Sequence, residues 1–156
     1  MKAIQYRGYG APEVLHIAEV AAPTPKPNEV LVRVHEAILT PTDTSARLGK
    51  PFIVRFFSGL FGPKGIPGTD FAGVVEAVGD KVTRFQPGDQ VFGAKSPSTG
   101  AHAEYLTIAE TGVLTHLPEG MAFSETAGMC DAAMTALTFL RDDADLQPGQ
   151  RVLING

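Results

Sequence analysis

Short stretches of alternating apolar and polar residues recur along most of this chain, and a two-residue period predicts strands. The clearest runs from Glu29 to Leu39, with Val30, Val32 and Val34 on one face and Leu31, Arg33 and His35 on the other. The alternation fails at Glu36, where a charge falls in the apolar phase, and a bulge near His35-Glu36 accounts for it. Lys2 to Tyr6, Val14 to Val20, Phe71 to Val78, Gln90 to Phe92, Ala101 to Ile108 and Val113 to Leu117 read as further strands. The proline-rich run AAPTPKPNE, from Ala21 to Glu29, suits a surface crossing rather than a central strand. Gly73 interrupts an apolar run, as glycine does at a bulge or where another backbone comes close. Pro87-Gly88-Asp89 carries turn chemistry: a preset φ, a left-handed position and a side chain that can bond its own backbone.

Helical signals are fewer. Asp43 can cap a short helix from Thr44 to Leu48. From Lys50 to Gly68 the chain holds Phe52, Ile53, Phe56, Phe57 and Phe61 with no lasting period, which predicts a loop with at most one helical turn. Such a loop is expected to pack against its own domain; a wall of a substrate pocket or a dimer contact is the alternative. Ser124 to Arg141 reads as one continuous helix, with Ser124 as its cap, Glu125 in its first turn and an apolar stripe of Ala127, Cys130, Met134 and Leu137. Val152-Leu153-Ile154 is a continuous apolar run that suits a buried parallel strand.

Composition narrows the class. With 156 residues, 44% apolar and 19% charged, the chain has the make-up of an ordinary globular protein of one domain, or one domain plus a piece of a second. Seventeen Gly and twelve Pro favour many short strands and turns, hence a barrel over a bundle. A net charge of −4 without a Lys/Arg cluster argues against nucleic acid or an anionic membrane surface as partner. No apolar run approaches the ~18 residues of a membrane span, and the first residues lack a signal-peptide core. One cysteine, Cys130, excludes an intrachain disulfide and fits a reducing, cytoplasmic setting.

Spacing adds what composition cannot. Gly68, Asp70, Gly73, Val75, Val78 and Gly79 spell G-x-D-x-x-G-x-V-x-x-V-G, and Phe85, Gly88, Asp89 and Val91 spell F-x-x-G-D-x-V. With GAHAEYL at 100–106 and PGQRVLING at 148–156, these motifs resemble the N-terminal region of the medium-chain dehydrogenase/reductase family. The resemblance implies a mainly β fold. It would be a GroES-like, partly open β-barrel over 1–121, followed over 122–156 by one interdomain helix and the first strand of a Rossmann domain. The chain stops at Gly156 before any G-x-G-x-x-G is completed. A longer protein is therefore expected, with 148–156 disordered, swapped or paired with another copy when alone.

The family divides by zinc. The ligand positions of its zinc branch fall on Thr40, Thr69 and, less surely, Asp131, and neither threonine suits Zn²⁺. His16, His35, His102 and His116 show no ligand spacing, and Cys130 reads as a small buried helix residue. No metal is expected. Pro41, Asp43, Arg47 and Gly49 fit the P-x-D-x-x-x-R-x-G of the quinone oxidoreductase and enoyl reductase branch, with Thr40 in place of its Asn. The resemblance implies NADP(H) as cofactor, a quinone or enone as substrate, and a homodimer for the full-length enzyme. It implies Thr40 and Thr42 at the reacting centre, and Thr40, Asp43, Arg47 and Thr135 at the cofactor, with Asp43 and Arg47 as a supporting pair. A dehydrogenase acting on alcohols, or a non-catalytic GroES-like module, are the competing readings, and the piece alone is expected to be inactive.

Overall fold

The computed structural model describes residues 1–95 and 98–155. Its strands are β1 (Lys2–Tyr6), β2 (Leu15–Glu19), β3 (Glu29–Ala37), β4 (Asp70–Val78), β5 (Gln90–Ala94), β6 (Tyr105–Ala109) and β7 (Val113–His116). β1 and β2 form an antiparallel pair, and the other five form an antiparallel sheet in the order β6-β3-β4-β5-β7. A single bridge between Ala3 and Ala103 joins the two. The sheet curls into a half-barrel whose mainly β architecture matches the expected class.

Two bulges drive the curl. Val34 pairs with Gly73 but Glu36 with Ala72, so His35 is the extra residue, where the broken alternation places it. A second offset leaves Glu76 unpaired between Leu31/Ala77 and Val32/Val75. Bulges raise the local twist and re-aim side chains: His35 stacks on Phe123 with ring centroids 4.8 Å apart. Gly73 sits between the two offsets. A Cβ there would lie 2.1 Å from the Arg33 carbonyl oxygen, so any other residue would push β3 and β4 apart.

The inner face holds one core, including Val30, Val32, Phe71, Val75, Val91 and Leu106, all essentially inaccessible. Full burial of a side chain such as Phe71 contributes about 1.5–3 kcal/mol relative to exposure. The Pro87-Gly88-Asp89 turn forms as its residues dictate: Gly88 is left-handed (φ +96°) and Asp89 Oδ2 accepts the Gln86 N–H at 2.9 Å.

Several expectations need correction. The first helix, α1 (Pro41–Leu48), starts earlier than Thr44. The strand expected from Ala101 begins only at Tyr105. The aromatic loop contains one short helix, α2 (Val54–Ser58), but Phe52, Phe56, Phe57 and Phe61 are exposed instead of packing inward. The helix expected over 124–141 is segmented into α3 (Phe123–Thr126), a π-turn (Met129–Ala133), α4 (Met134–Thr138) and a second π-turn (Phe139–Asp143). Its cap is Ala122 rather than Ser124, and Glu125 reaches back to accept the Ala122 N–H at 2.7 Å. Val152–Ile154 pairs with no strand among the described residues and is exposed; Gly156 lies outside them. A parallel strand exists only where a neighbouring strand shares its ladder.

Candidate functional site

The site grows from the start of α1. Thr40 is its N-cap, with extended backbone, and Pro41 takes the first helical position, where no N–H is needed. Thr40 and Asp43 form a capping box: the Asp43 N–H donates to Thr40 Oγ1 at 3.4 Å, and Asp43 Oδ2 accepts the Thr40 N–H at 2.9 Å. The Thr40 hydroxyl donates to the same oxygen at 3.0 Å. Asp43 Oδ1 accepts the Gly68 N–H at 3.1 Å, so one buried carboxylate clasps both the helix start and the turn before β4. Gly68 is left-handed (φ +87°), and a Cβ on it would strike the His102 ring at 2.5 Å. His102 Nε2 in turn lies 2.9 Å from the Ile38 carbonyl oxygen. Arg47, on the last turn of α1, donates to the Gly10 carbonyl while its own carbonyl accepts the Gly10 N–H at 3.1 Å.

These contacts sort the sequence-predicted residues. Thr40 is buried, and its hydroxyl proton is used inside the capping box. Asp43 and Arg47 do not pair with each other; each holds backbone. Both border an apolar cavity of about 410 Å³ with Ile4, Tyr6, Leu15, Pro67 and His102. Thr42, exposed on the other side of α1, borders a second cavity of about 270 Å³ with Thr69, Asp70, Ala94, Val113, Cys130 and Asp131. Thr135 borders a third, of about 400 Å³, with Asp131, Ala132, Phe139, Leu140 and Ile154. Asp131 is common to the last two, so the Thr42 and Thr135 cavities adjoin there. Thr69 and Tyr6 were not among the residues predicted for catalysis or cofactor; Thr69 is marked in sequence by its place between Gly68 and Asp70, whereas Tyr6 ends an ordinary strand pattern.

Charge in the Thr42 cavity is muted. Burial raises the Asp70 carboxyl above its usual range; the Thr69 hydroxyl and the Asp131 N–H, the latter donating to Asp70 Oδ2 at 3.0 Å, pull the other way. Burial, then the neighbouring Asp70 charge, pushes the Cys130 thiol up to about 11, so it stays protonated near neutrality. Across α1, burial and then the Asp43 charge push the Tyr6 phenol up to about 12, with Arg47 partly opposing.

This donor set does not suit zinc. Hydroxyls stand at 40 and 69, and Asp70 already accepts the Asp131 N–H. Among the described residues no three His, Cys, Asp or Glu side chains converge as a metal site would need.

A curled antiparallel half-barrel, glycines at its close approaches and a capped helix at its mouth are now in place, and the alcohol dehydrogenase GroES-like domain model matches residues 26–119. The chain belongs to that family. Quinone oxidoreductase of Sus scrofa is 38% identical over 161 aligned positions, covering 100% of this chain and 45% of its own length. The solved quinone oxidoreductase of Coxiella burnetii superposes with a TM-score of 0.85 at 30% identity, over 96% of this chain and 46% of that one. Escherichia coli quinone oxidoreductase complexed with NADPH gives a TM-score of 0.81 at 27% identity, over 96% and 43%. The chain thus spans about 45% of the length of the quinone oxidoreductases it matches. No helix among the described residues is long and apolar enough to cross a membrane.

Proposed function

We propose that this chain is the substrate-side part of an NADPH-dependent reductase that delivers hydride to a quinone or an α,β-unsaturated carbonyl without a metal. In this reading residues 1–121 form the substrate domain, and 122–156 lead into a dinucleotide-binding domain. The observation that carries it is the Thr42 cavity, where the hydroxyl-bearing Thr42 and Thr69 stand on one side, no three potential ligands converge among the described residues, and Asp131 is shared with the cavity bordered by Thr135. The similarity to quinone oxidoreductases, one of them complexed with NADPH, supports the same reading.

In this reading the nicotinamide end of a dinucleotide lies at the two cavities that share Asp131, with Thr135 and Asp131 beside it. NADPH, when bound, supplies the hydride. The chain's own task is to orient the acceptor and to meet the negative charge that grows on its carbonyl oxygen. Thr42 makes no side-chain hydrogen bond among the described residues, so its hydroxyl is the donor available for that oxygen. Thr40 positions Thr42 through the capping box, and Asp43 holds both against the Gly68 turn. Cys130, held as the thiol, adds no charge of its own beside Asp70 and Asp131.

The test uses the whole protein of which this chain is part, with NADPH and 1,4-benzoquinone. Thr42→Val is expected to lower kcat about 10²-fold, as loss of one oxyanion donor does, while KM changes little. Unchanged kcat in a folded Thr42→Val protein would remove Thr42 from the reaction. Absence of turnover in the unsubstituted protein, with oxidation of alcohols in its place, would favour the dehydrogenase reading.

A further inference from the structure

The loop between α1 and β4 leaves most of its large apolar side chains open, Phe52 meeting only Phe56 and Arg55 of the same loop among the ring contacts. Phe57 is 87% exposed and Phe61 fully so, and Phe52, Ile53, Phe56 and Leu60 are each at least half exposed. Monomeric proteins rarely leave so many large apolar side chains of one short segment open without a partner for them. The loop is nevertheless well anchored at its base. The Tyr9 hydroxyl lies 2.9 Å from Ser58 Oγ and also donates to the Gly59 carbonyl. Arg55 stacks on the Tyr9 ring at 4.4 Å and donates through Nε to the Gly49 carbonyl at 3.2 Å. A fixed base presents the phenylalanines with little ordering left to do.

Two features select the partner. Phe57 and Phe61 have almost no cover from their own chain, and a soft acyl layer takes both without the matching pockets that a folded partner would have to offer. Charge is the second. From Lys50 to Pro67 the chain carries Lys50, Arg55 and Lys64 and no acidic residue, a local +3 within a chain of net −4. Neither Lys50 nor Lys64 forms an ion pair among the described residues, and both are exposed. Averaging charge over the whole sequence hides this loop, which is why an anionic surface looked excluded.

We propose that this loop docks the protein on an anionic lipid bilayer. Phe57 and Phe61 enter the boundary between headgroups and acyl chains, while Lys50, Lys64 and the edge of Arg55 meet lipid phosphates. The proposal is independent of which substrate the reductase takes.

This chain has no tryptophan, and Phe57→Trp places a reporter at the tip of the loop, read in the intact protein as the difference from the unsubstituted form. Its emission is expected to shift to the blue, and the protein to sediment, with vesicles of equimolar phosphatidylcholine and phosphatidylglycerol at low salt, and much less with phosphatidylcholine alone. Phe57→Ser with Phe61→Ser is expected to weaken partitioning roughly tenfold or more, and Lys50→Gln with Lys64→Gln by a similar factor that vanishes at high salt. Turnover of a water-soluble quinone should be the same in all of them. Three results would overturn the proposal: no partitioning, or equal partitioning on neutral vesicles; tryptophan emission already blue and indifferent to vesicles, because the protein's own chain covers the loop; or concentration-dependent self-association that the double serine variant abolishes, which would make the partner a second copy.

Discussion

The half-barrel and the segment after it contrast in what they do with their apolar residues. In the half-barrel, Val30, Val32, Phe71 and Val91 have no accessible surface. In the later segment Met134, Leu137, Phe139, Val152, Leu153 and Ile154 all lie open, and among its described residues only Thr126 and Ala127 near its start are buried. Both regions show clear apolar periodicity. The difference lies in supply: each strand finds a partner within the described residues, whereas the helical segment is seated only at its start, against β3, β4 and β5, and its later apolar side chains stay open. Periodicity states which face of an element seeks cover and is silent on what provides it.

That contrast can be broken or sharpened by substitution. The largest effect is expected at the centre of the half-barrel, where Phe71→Ala should cost about 3–5 kcal/mol of unfolding free energy, read from urea denaturation monitored by circular dichroism. Next comes Asp43→Ala, which removes the capping-box acceptor and leaves the buried Gly68 N–H unpaired. A loss of about 2–3 kcal/mol is expected, with Asp43→Asn recovering part of it. If Asp43→Ala is silent, the clasp between α1 and the Gly68 turn does not hold the site together.

A pH series probes the seam between the regions. The folded state raises the Asp70 carboxyl, so it binds the proton more tightly there than in the unfolded chain. Stability should therefore fall as pH rises from the ordinary carboxylate range through the raised folded value, and Asp70→Asn should flatten that decline. Denaturation midpoints measured from acid to neutral pH check the sign; a decline that is equally steep in Asp70→Asn would assign it to other groups. The smallest effect belongs to the open stripe: Leu137→Ser in this chain should change stability by less than about 0.5 kcal/mol, since that side chain has little to lose. A loss of several kcal/mol there would mean that the stripe is covered in solution.

Much of the half-barrel was legible from the sequence, because strand signals are local. Val30, Val32 and Val34 disclosed the buried face of β3, Glu36 disclosed the bulge at His35, and Gly73 disclosed the close crossing. The start of α1 was misplaced by three residues because its box is closed by Asp43 rather than the more usual Glu or Gln, leaving Asp43 to read as the cap. The break near Gly128 and the two π-turns went unseen, since a stripe at three- and four-residue steps tolerates them. At the site, the residue types at 40, 42, 43, 47 and 135 could be read, but not that α1 would divide them between cavities. That division depends on Gly68 and His102, which meet Asp43 and Ile38 only in three dimensions.

The double grip of Asp43 bears on motion. With α1 and the 65–70 turn fastened to one carboxylate, that wall of the Thr42 cavity behaves as a single rigid piece. Any widening of the cavity therefore falls to its opposite wall, where the Asp131 N–H is tied to Asp70 Oδ2 and the chain leading to it is seated by the His35–Phe123 stack and the buried Thr126 and Ala127, so several contacts and not one hinge would have to yield.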